Sequence, residues 1–589
     1  MTKKPLIRGY LIRISLLLLL SYQTYSQVTT ATLNGITKMA SGTPLPSATV
    51  IVEFPNAGLK QTVITKNDGR FIIPNLRVGG PYRVTINHVS YEPMIVDSIF
   101  LELGQNNPVD LILREKSNEL QAVTITASST VFDNKRTGAS TNISSRILRT
   151  LPTISRSADD YLRLSPSASA NYNGLSFAGR NGQYNNFSVD GAVFNNPFGL
   201  DAPTPGGQAN AQPISLDAID QIQVNLAPYD ITQAGFTGAG VNTVTKSGSN
   251  QFSGSVYGFY QNQSITGKKV NKSKLVVPDL SQLQTGFSLG GPIIKNKLFF
   301  FVNFETEQRK DEASSYVAQT NSNSGKTNTS RVLESDLVTV SSILKSRFNY
   351  ETGPYQGFTL DQKNYKWLAK LDWNINTIHT LSFTYNGLDA GKDKPAHPSA
   401  IGRRGPDFTT LQYQNSGYKI INRLNSFAAE LKSNFGSNYA NKLRVVFTTF
   451  KDERIPASSP FPVINITKNG VRYIVAGHEP FSINNRLNQD AFQITNNFNV
   501  FLNKHTLTAG VSFESFKFAN SFNLTGYGAT LFSDIDINEF VNKVPTGGNV
   551  VFRCLSPGRR RSVCQKQGSS QSMDMVLFNG GSTFRLYPG

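Results

Sequence analysis

The chain has 589 residues, more than one hydrophobic core serves, and only 16% of them are charged, while Phe (38) and Tyr (22) are abundant. That palette, rich also in Asn, Ser, Thr and Gly, argues against a helical enzyme and for short strands with many turns. The formal charge of +19 does not call for nucleic acid: four Lys/Arg fall in the first 26 residues and six in the last 39, and no dense basic stripe lies between.

Lys3, Lys4, Arg8 and Arg13 precede "ISLLLLL" and the small-residue site "TYS". This reads as a secretory signal peptide over residues 1–26, cut near Ser26. Its apolar part is too short to span a bilayer, and no later apolar run reaches about 18 residues. No Cys lies near the cut, so no lipid anchor is expected there. Both cysteines, Cys554 and Cys564, lie close to the end, which excludes a disulfide framework for the main domains.

Residues 27–115 read as a small β-sandwich, with short strands such as "ATVIVEF" and "YRVTINHVSY" set between turn signals. "KNDGRF" supplies an Asn-Asp-Gly tight turn. The stretches "GTPLPSATVIV" and "TKNDGRFIIPNLRVGGPYRVTINHVSYEP" resemble the carboxypeptidase-regulatory-like domain that precedes many outer-membrane receptors. The resemblance implies a binding or spacer module without catalytic chemistry.

Residues 116–130 form a polar linker around "ELQAVTITAS". Val123, Ile125 and Ala127 alternate with Thr124 and Thr126, which is strand chemistry with nothing adjacent to pair with. From 131 to 250 the texture changes. Ile143, Ile147, Leu151 and Ile154 fall near helical spacing, and Ser157 with Asp160 has the form of a capping box. "GRNGQYNNFSVDGAVFNN" and "GAGVNTVTKSGSNQFSGS" resemble the plug domain of TonB-dependent outer-membrane transporters, within them the Oar-like branch.

From residue 252, strand-like segments recur. Leu507, Ala509, Val511 and Phe513 alternate with Thr508, Gly510, Ser512 and Glu514; Trp367, Ala369, Leu371 and Trp373 alternate with Lys366, Leu368, Lys370 and Asp372. One apolar and one largely polar face suit lipid outside and water inside a barrel. Short connections ("PIIKNK", "NINTIH", "FLNKHT") alternate with long polar ones near 261–282, 309–364, 388–424 and 453–489, the pattern of short periplasmic turns and long outer loops. "KNKLFFFVNFE" further resembles Oar-like barrels.

The fold class is therefore expected to be mainly β: an N-terminal β-sandwich, an α/β plug, and a partial transmembrane antiparallel β-barrel over residues 251–550. About nine strands are found, against the 22 expected for this kind of barrel. Residues 551–589 lose the alternation, and the expectation is a chain truncated by a frameshift near 551–554, the alternative being a genuine tail or variant loop.

The resemblance implies a gated importer in the outer membrane of a Gram-negative bacterium. It would bind a substrate at the surface and draw energy from the inner membrane through TonB and its energising complex, with no enzyme activity, cofactor or metal. Val123, Thr124, Ile125, Thr126 and Ala127 then occupy the place of a TonB box, which pairs edge-on with a partner strand; the plainer reading is a linker strand. Arg180 and Asp190 are candidate latches to the barrel wall, or parts of turns in which Gly182 and Gly191 need special backbone angles. Tyr172, Tyr184, Phe194 and Phe198 could meet substrate or pack the plug. Implied partners are TonB, outer-membrane lipid and an extracellular substrate. A surface adhesion or matrix-binding protein built of β-modules is the rival from another class.

Enzyme motifs dissolve on inspection. "GFSLG" (286–290) fits G-x-S-x-G, but Ser288 lies in an alternating strand with no helix after it. "SNSGKT" (322–327) has Thr320 where the first Gly of a phosphate loop belongs. The five His are dispersed, and none forms H-E-x-x-H.

Overall fold

The computed structural model describes residues 28–116, 123–126, 140–171, 174–195, 202–228, 230–233, 235–274, 277–396, 406–459, 461–479, 481–502, 505–522, 533–545, 552–554 and 562–564.

The first unit is two sheets over one core. Its strands are β1 (Ala31–Met39), β2 (Thr49–Phe54), β3 (Leu59–Ile64), β4 (Arg70–Leu76), β5 (Gly79–His88), β6 (Tyr91–Leu101), β7 (Asn106–Pro108) and β8 (Leu111–Leu113). One sheet runs β4-β1-β7, with β8 also on β1; the other runs β3-β2-β5-β6 and continues into β9 (Val123–Thr126). Alternate residues point inward, so Leu33, Val50, Val84, Ile86 and Leu101 are fully buried between the sheets. The Asn-Asp-Gly turn forms: Gly69 N–H donates to Lys66 O at 2.8 Å, and Gly69 takes φ +72. It joins β3 to β4, so it carries the chain from one sheet to the other instead of closing a hairpin.

The plug follows, with β10 (Ser140–Ile143), α1 (Ser145–Thr150), α2 (Ala158–Leu162), β11 (Ala168–Asn171), β12 (Gly174–Phe177), β13 (Asn186–Val189), β14 (Ala192–Val193), β15 (Ile219–Asn225) and β16 (Gly240–Thr245). Its main sheet has the order β10-β15-β16-β13-β14. The helical spacing over 143–154 is overridden. Ile143 ends a strand, α1 is six residues long, and Ile154 is 93% exposed. Ser157 is the N-cap of α2, but its side chain makes no capping bond; Asp160 instead accepts from the N–H groups of Ile154 and Ser155.

The wall starts at β17 (Ser253–Asn262), and the pair β18 (Lys269–Val270) and β19 (Ser273–Lys274) leads to β20 (Leu280–Ile294) and β21 (Leu298–Glu312). Next come β22 (Val317–Gln319), β23 (Thr329–Leu333), α3 (Glu334–Phe348), β24 (Thr359–Asn374), β25 (His379–Lys394), β26 (Leu411–Gln412), β27 (Tyr418–Phe435) and β28 (Tyr439–Pro456). The order closes with β29 (Val463–Lys468), β30 (Val471–Gly477), β31 (Asn485–Phe501), β32 (Thr506–Ser521), β33 (Ser533–Asp536), α4 (Ile537–Lys543) and the hairpin β34 (Phe552–Cys554) with β35 (Ser562–Cys564). Nine strands form one antiparallel sheet, β17-β20-β21-β24-β25-β27-β28-β31-β32. Connections of three or four residues (295–297, 375–378, 436–438, 502–505) alternate with long ones (263–279, 313–358, 395–417, 457–484). Ser288 stands mid-strand in β20, its hydroxyl 2.8 Å from that of Ser255 on β17. No helix among the described residues is long and apolar enough to cross a membrane.

The long connections are not loose. β26-β30-β29-β33 form a sheet, and with α3 and α4 they enclose a core that includes Val332, Leu337, Leu344, Tyr413, Ile466 and Tyr473. At the opposite end, the short turns rest on the N-terminal module. Lys66 Nζ donates to Phe501 O (2.6 Å), Asn374 Nδ2 to Ala57 O (3.0 Å) and Asn75 Nδ2 to Asn434 Oδ1 (3.0 Å).

Candidate functional site at the contact of plug and wall

The wall turns its polar face inward, onto the plug. Glu305, Lys366, Lys370, Asn386, Glu430 and Arg444 are all at least 93% buried. Charges removed from water persist only when paired and hydrogen-bonded, and each of these except the amide Asn386 has an ionic partner. Asn386 donates to Pro213 O of the plug at 3.0 Å.

The turn between β13 and β14 is the centre of the contact. Asp190 Oδ2 accepts from Thr245 Oγ1 (2.5 Å), from Lys370 Nζ (3.2 Å) and from Thr384 Oγ1 (3.2 Å); its Oδ1 accepts from the Thr245 N–H (2.9 Å). Thus one plug carboxylate ties β16 to two wall strands. The next residue, Gly191, takes φ +79, and a Cβ there would collide with the Arg444 guanidinium. That close approach lets Arg444 Nη1 donate to Gly191 O (3.3 Å) while Nε and Nη2 hold Glu430 Oε2 at 2.9 and 2.7 Å. Glu430 also accepts from Thr29 Oγ1 of the N-terminal module (2.9 Å). A second node is Glu305, which accepts from Lys366 Nζ (2.7 Å), Ser215 Oγ (2.8 Å) and Tyr257 Oη (2.8 Å). A third is Arg156, at φ +50, which pairs with Asp217 and lies 3.8 Å over the Phe259 ring of β17.

Beneath the plug, a cavity of about 80 Å³ is lined by Arg77, Asp220, Ser247, Lys370, Asp372 and Glu430. Burial pushes the Asp220 carboxyl up from its ordinary range, an effect opposed by Arg77. Burial likewise pulls the Lys246 ammonium down; its Nζ donates to Asp217 O at 2.7 Å.

The residues singled out from sequence are dispersed. Asp190 is in the seam, but Arg180 is exposed and has no ion pair among the described residues. Gly191 has positive φ, whereas Gly182 opens a short 3₁₀ turn with ordinary angles. Phe194 is 1% exposed in the plug core, which is the packing alternative, and Tyr184 is 59% exposed. Tyr172, Phe198 and Ala127 lie outside the described residues. Val123–Thr126 form β9, parallel to β6. Sequence reasoning missed Glu305, Lys366, Lys370, Glu430, Arg444 and Arg156. No local signal set the first five apart, because an inward charge on a barrel strand is equally expected to face lumen water; only the position of the plug takes that water away.

A model of the outer membrane beta barrel domain matches residues 244–541. The chain belongs to that family. In this outer membrane barrel protein, a model of the carboxypeptidase regulatory-like domain also matches residues 32–114. The TonB-dependent transporter Oar of Myxococcus xanthus is 27% identical over 361 residues, which cover 58% of this chain and 32% of Oar. Among solved structures, the siderophore receptor PirA from Acinetobacter baumannii is 15% identical with a TM-score of 0.40, over 65% of this chain and 48% of PirA. YddB from Escherichia coli, an outer membrane transporter, is 10% identical with a TM-score of 0.42, over 65% of this chain and 57% of YddB. The chain thus spans about a third of the curated relative and about half of PirA and YddB. The barrel family places the protein in the outer membrane of a Gram-negative bacterium, where an apolar outward face belongs.

Proposed function

We propose that the chain carries the plug and part of the wall of a TonB-dependent importer, which takes up a substrate from outside the cell. One observation carries the reading: a plug carboxylate, Asp190, is buried in an ion pair with Lys370 of the wall, beside the wall's own buried pairs Lys366–Glu305 and Arg444–Glu430, so the plug meets the wall through charges as well as apolar packing. A permanent stopper needs no charges there. Paired charges in a lumen can exchange partners for water once the plug shifts, so the seam is closed at rest and separable under load. The likeness to Oar supports the assignment.

In this reading Val123–Ala127 are the TonB box, the coupling strip. The strip lies on the periplasmic side, beside the module and ahead of β10. TonB captures it by strand addition, in which backbone bonds supply affinity. Energy from the inner-membrane complex then reaches the plug through β10, which among the described residues is an edge strand paired to β15. Asp190 and Arg444 hold the far side of the plug sheet to the wall while the near side is pulled. No covalent step is involved.

A peptide spanning residues 117–130 is expected to bind the C-terminal domain of a cognate TonB. Ile125→Pro, which removes a ladder donor and fixes φ, is expected to weaken it at least about tenfold. Equal binding of both peptides in calorimetry would reject strand pairing.

A further inference from the structure

The chain leaves the N-terminal module beside the start of β6. Glu92 N–H donates to Arg114 O (2.9 Å), Lys116 N–H to Ser90 O (3.2 Å) and Lys116 Nζ to Val89 O (2.9 Å). A few residues later it is on the same strand again. β9 runs parallel to β6, with Val123 level with Met94, Thr124 with Ile95, Ile125 with Val96 and Thr126 with Asp97. In the order β3-β2-β5-β6-β9 the strip is the outermost strand. Without it, β6 would present an open row of N–H and C=O groups, the ordinary template for strand capture.

The register is specific at both ends. Val123 and Ile125 stand level with Met94 and Val96, which are 8% and 3% exposed and face the module core. Asp97 is held by Arg83 on the other side, Nε to Oδ1 at 2.6 Å. Ser98, immediately after, has φ +63, a local break in β6 where its pairing with β9 stops; beyond it β6 resumes and pairs with β5 at Ile99 and Leu101.

We propose that the module holds the coupling strip in reserve as the fifth strand of its sheet, and that a periplasmic strand-pairing partner must win the strip from β6. This rests on the reading of Val123–Ala127 as that strip. Pairing with β6 takes the backbone groups on one edge of the strip and holds it against the module, so a partner that uses that edge, or that draws the strip out as a free strand, must first displace it from β6. The competitor is also tethered: a connector of six residues (117–122) sets an effective concentration of order millimolar, which a free peptide does not face. The module thereby sets a threshold for coupling, and the strip is not an open hook.

The test uses the full chain in detergent with C554S and C564S, and adds V96C and I125C. Positions level on adjacent strands are about 4.8 Å apart, within disulfide reach. The probe is the isolated C-terminal domain of TonB. We expect the 117–130 peptide to bind it at least about tenfold more tightly than the reduced full chain does. Oxidation should abolish binding to the full chain, and reduction should restore it. In the chain without added cysteines, saturating probe should speed amide exchange of Met94–Asp97, because displacement uncovers that edge. Equal affinity of the locked and reduced chains, failure of the disulfide to form, or unchanged exchange at Met94–Asp97 would overturn the proposal while the peptide still binds. Failure of the peptide itself to bind overturns the strip reading, and this proposal with it.

Discussion

The N-terminal module and the wall are both antiparallel in the main, with side chains alternating about each strand, yet they are inside out relative to each other. In β2 of the module the buried residues are Val50, Val52 and Phe54. In β24 of the wall the buried residues include Asn364, Lys366 and Lys370, while Tyr365, Leu371 and Trp373 are exposed at 41–43%. The same period of two therefore serves opposite solvents. The module faces water and hides its apolar phase; the wall faces hydrocarbon and hides its polar phase against the plug. Burial alone says nothing of polarity until the medium on the other side is known.

The largest effect is expected where a charge is left unpaired on the hidden side of the wall. Lys366→Met strands the Glu305 carboxylate, whose side chain is fully buried. Removing one partner of a buried pair costs about 3–5 kcal/mol. The chain's two tryptophans, Trp367 and Trp373, both lie on β24, so their fluorescence reports on the wall alone. Urea unfolding in detergent should show a lower midpoint for Lys366→Met, with partial recovery on adding Glu305→Gln. A midpoint unchanged by Lys366→Met would mean that water reaches the seam freely.

The outward side is tested by Phe447→Arg. Phe447 is 45% exposed, mid-strand in β28, and level with Phe427 and Phe492 on its neighbours. An Arg at the bilayer midplane of a barrel costs about 2–4 kcal/mol. Accumulation in the outer membrane should fall, whereas Phe447→Leu should leave it near normal. In a water-soluble sheet the order would reverse, since an exposed Arg is harmless there.

A paired exchange sharpens the contrast. Val50→Thr puts a hydroxyl into the module core at a fully buried position and is expected to cost about 1–3 kcal/mol. Thr448→Val makes the opposite change in the wall, where Thr448 is 1% exposed and its hydroxyl lies 2.8 Å from that of Ser426. It should cost about 1 kcal/mol, the worth of the lost bond. Far-ultraviolet dichroism reads the first, tryptophan fluorescence the second.

What the sequence disclosed follows from the same contrast. Strand alternation in segments such as 366–373 and 507–514, and the order of short and long connections, depend only on local spacing, and the nine-stranded sheet was legible from them. Asp190 stood out as a charge in a turn, but its partner Lys370 is 180 residues away, and no local signal links the two. The spacing over 143–154 suggested one helix; strand pairing of Ile143 to Ile222 took that residue instead. In the sequence the outer unit has the form of long polar loops. Its core draws Val332, Tyr413, Ile466 and Ile535 from separate connections, none of which holds enough apolar residues to announce a core by itself.

That outer unit supplies the most local test, because it hides apolar residues as the module does although it grows from the wall. His478, between β30 and β31, is 3% exposed, and its Nδ1 lies 3.1 Å from Ser458 Oγ. Burial disfavours the imidazolium and pulls its pKa down to about 4. Between about pH 4 and its ordinary 6.5 the unfolded segment therefore binds more protons than the folded one. Its stabilisation is full above that window and is lost as pH falls through it, by at most about 2 kcal/mol at pH 5. Glu479 acts in the opposite sense: burial raises its carboxyl pKa, so its contribution is present in acid and lost as pH rises. Amide exchange across Val463–Gly477 should accelerate on going from pH 7 to 5, after correction for intrinsic rates, and His478→Gln should remove that acceleration and leave only the reverse trend of Glu479. An identical acid response in His478→Gln would show that the imidazole is solvated and that this unit, unlike the module, does not keep water out of its core.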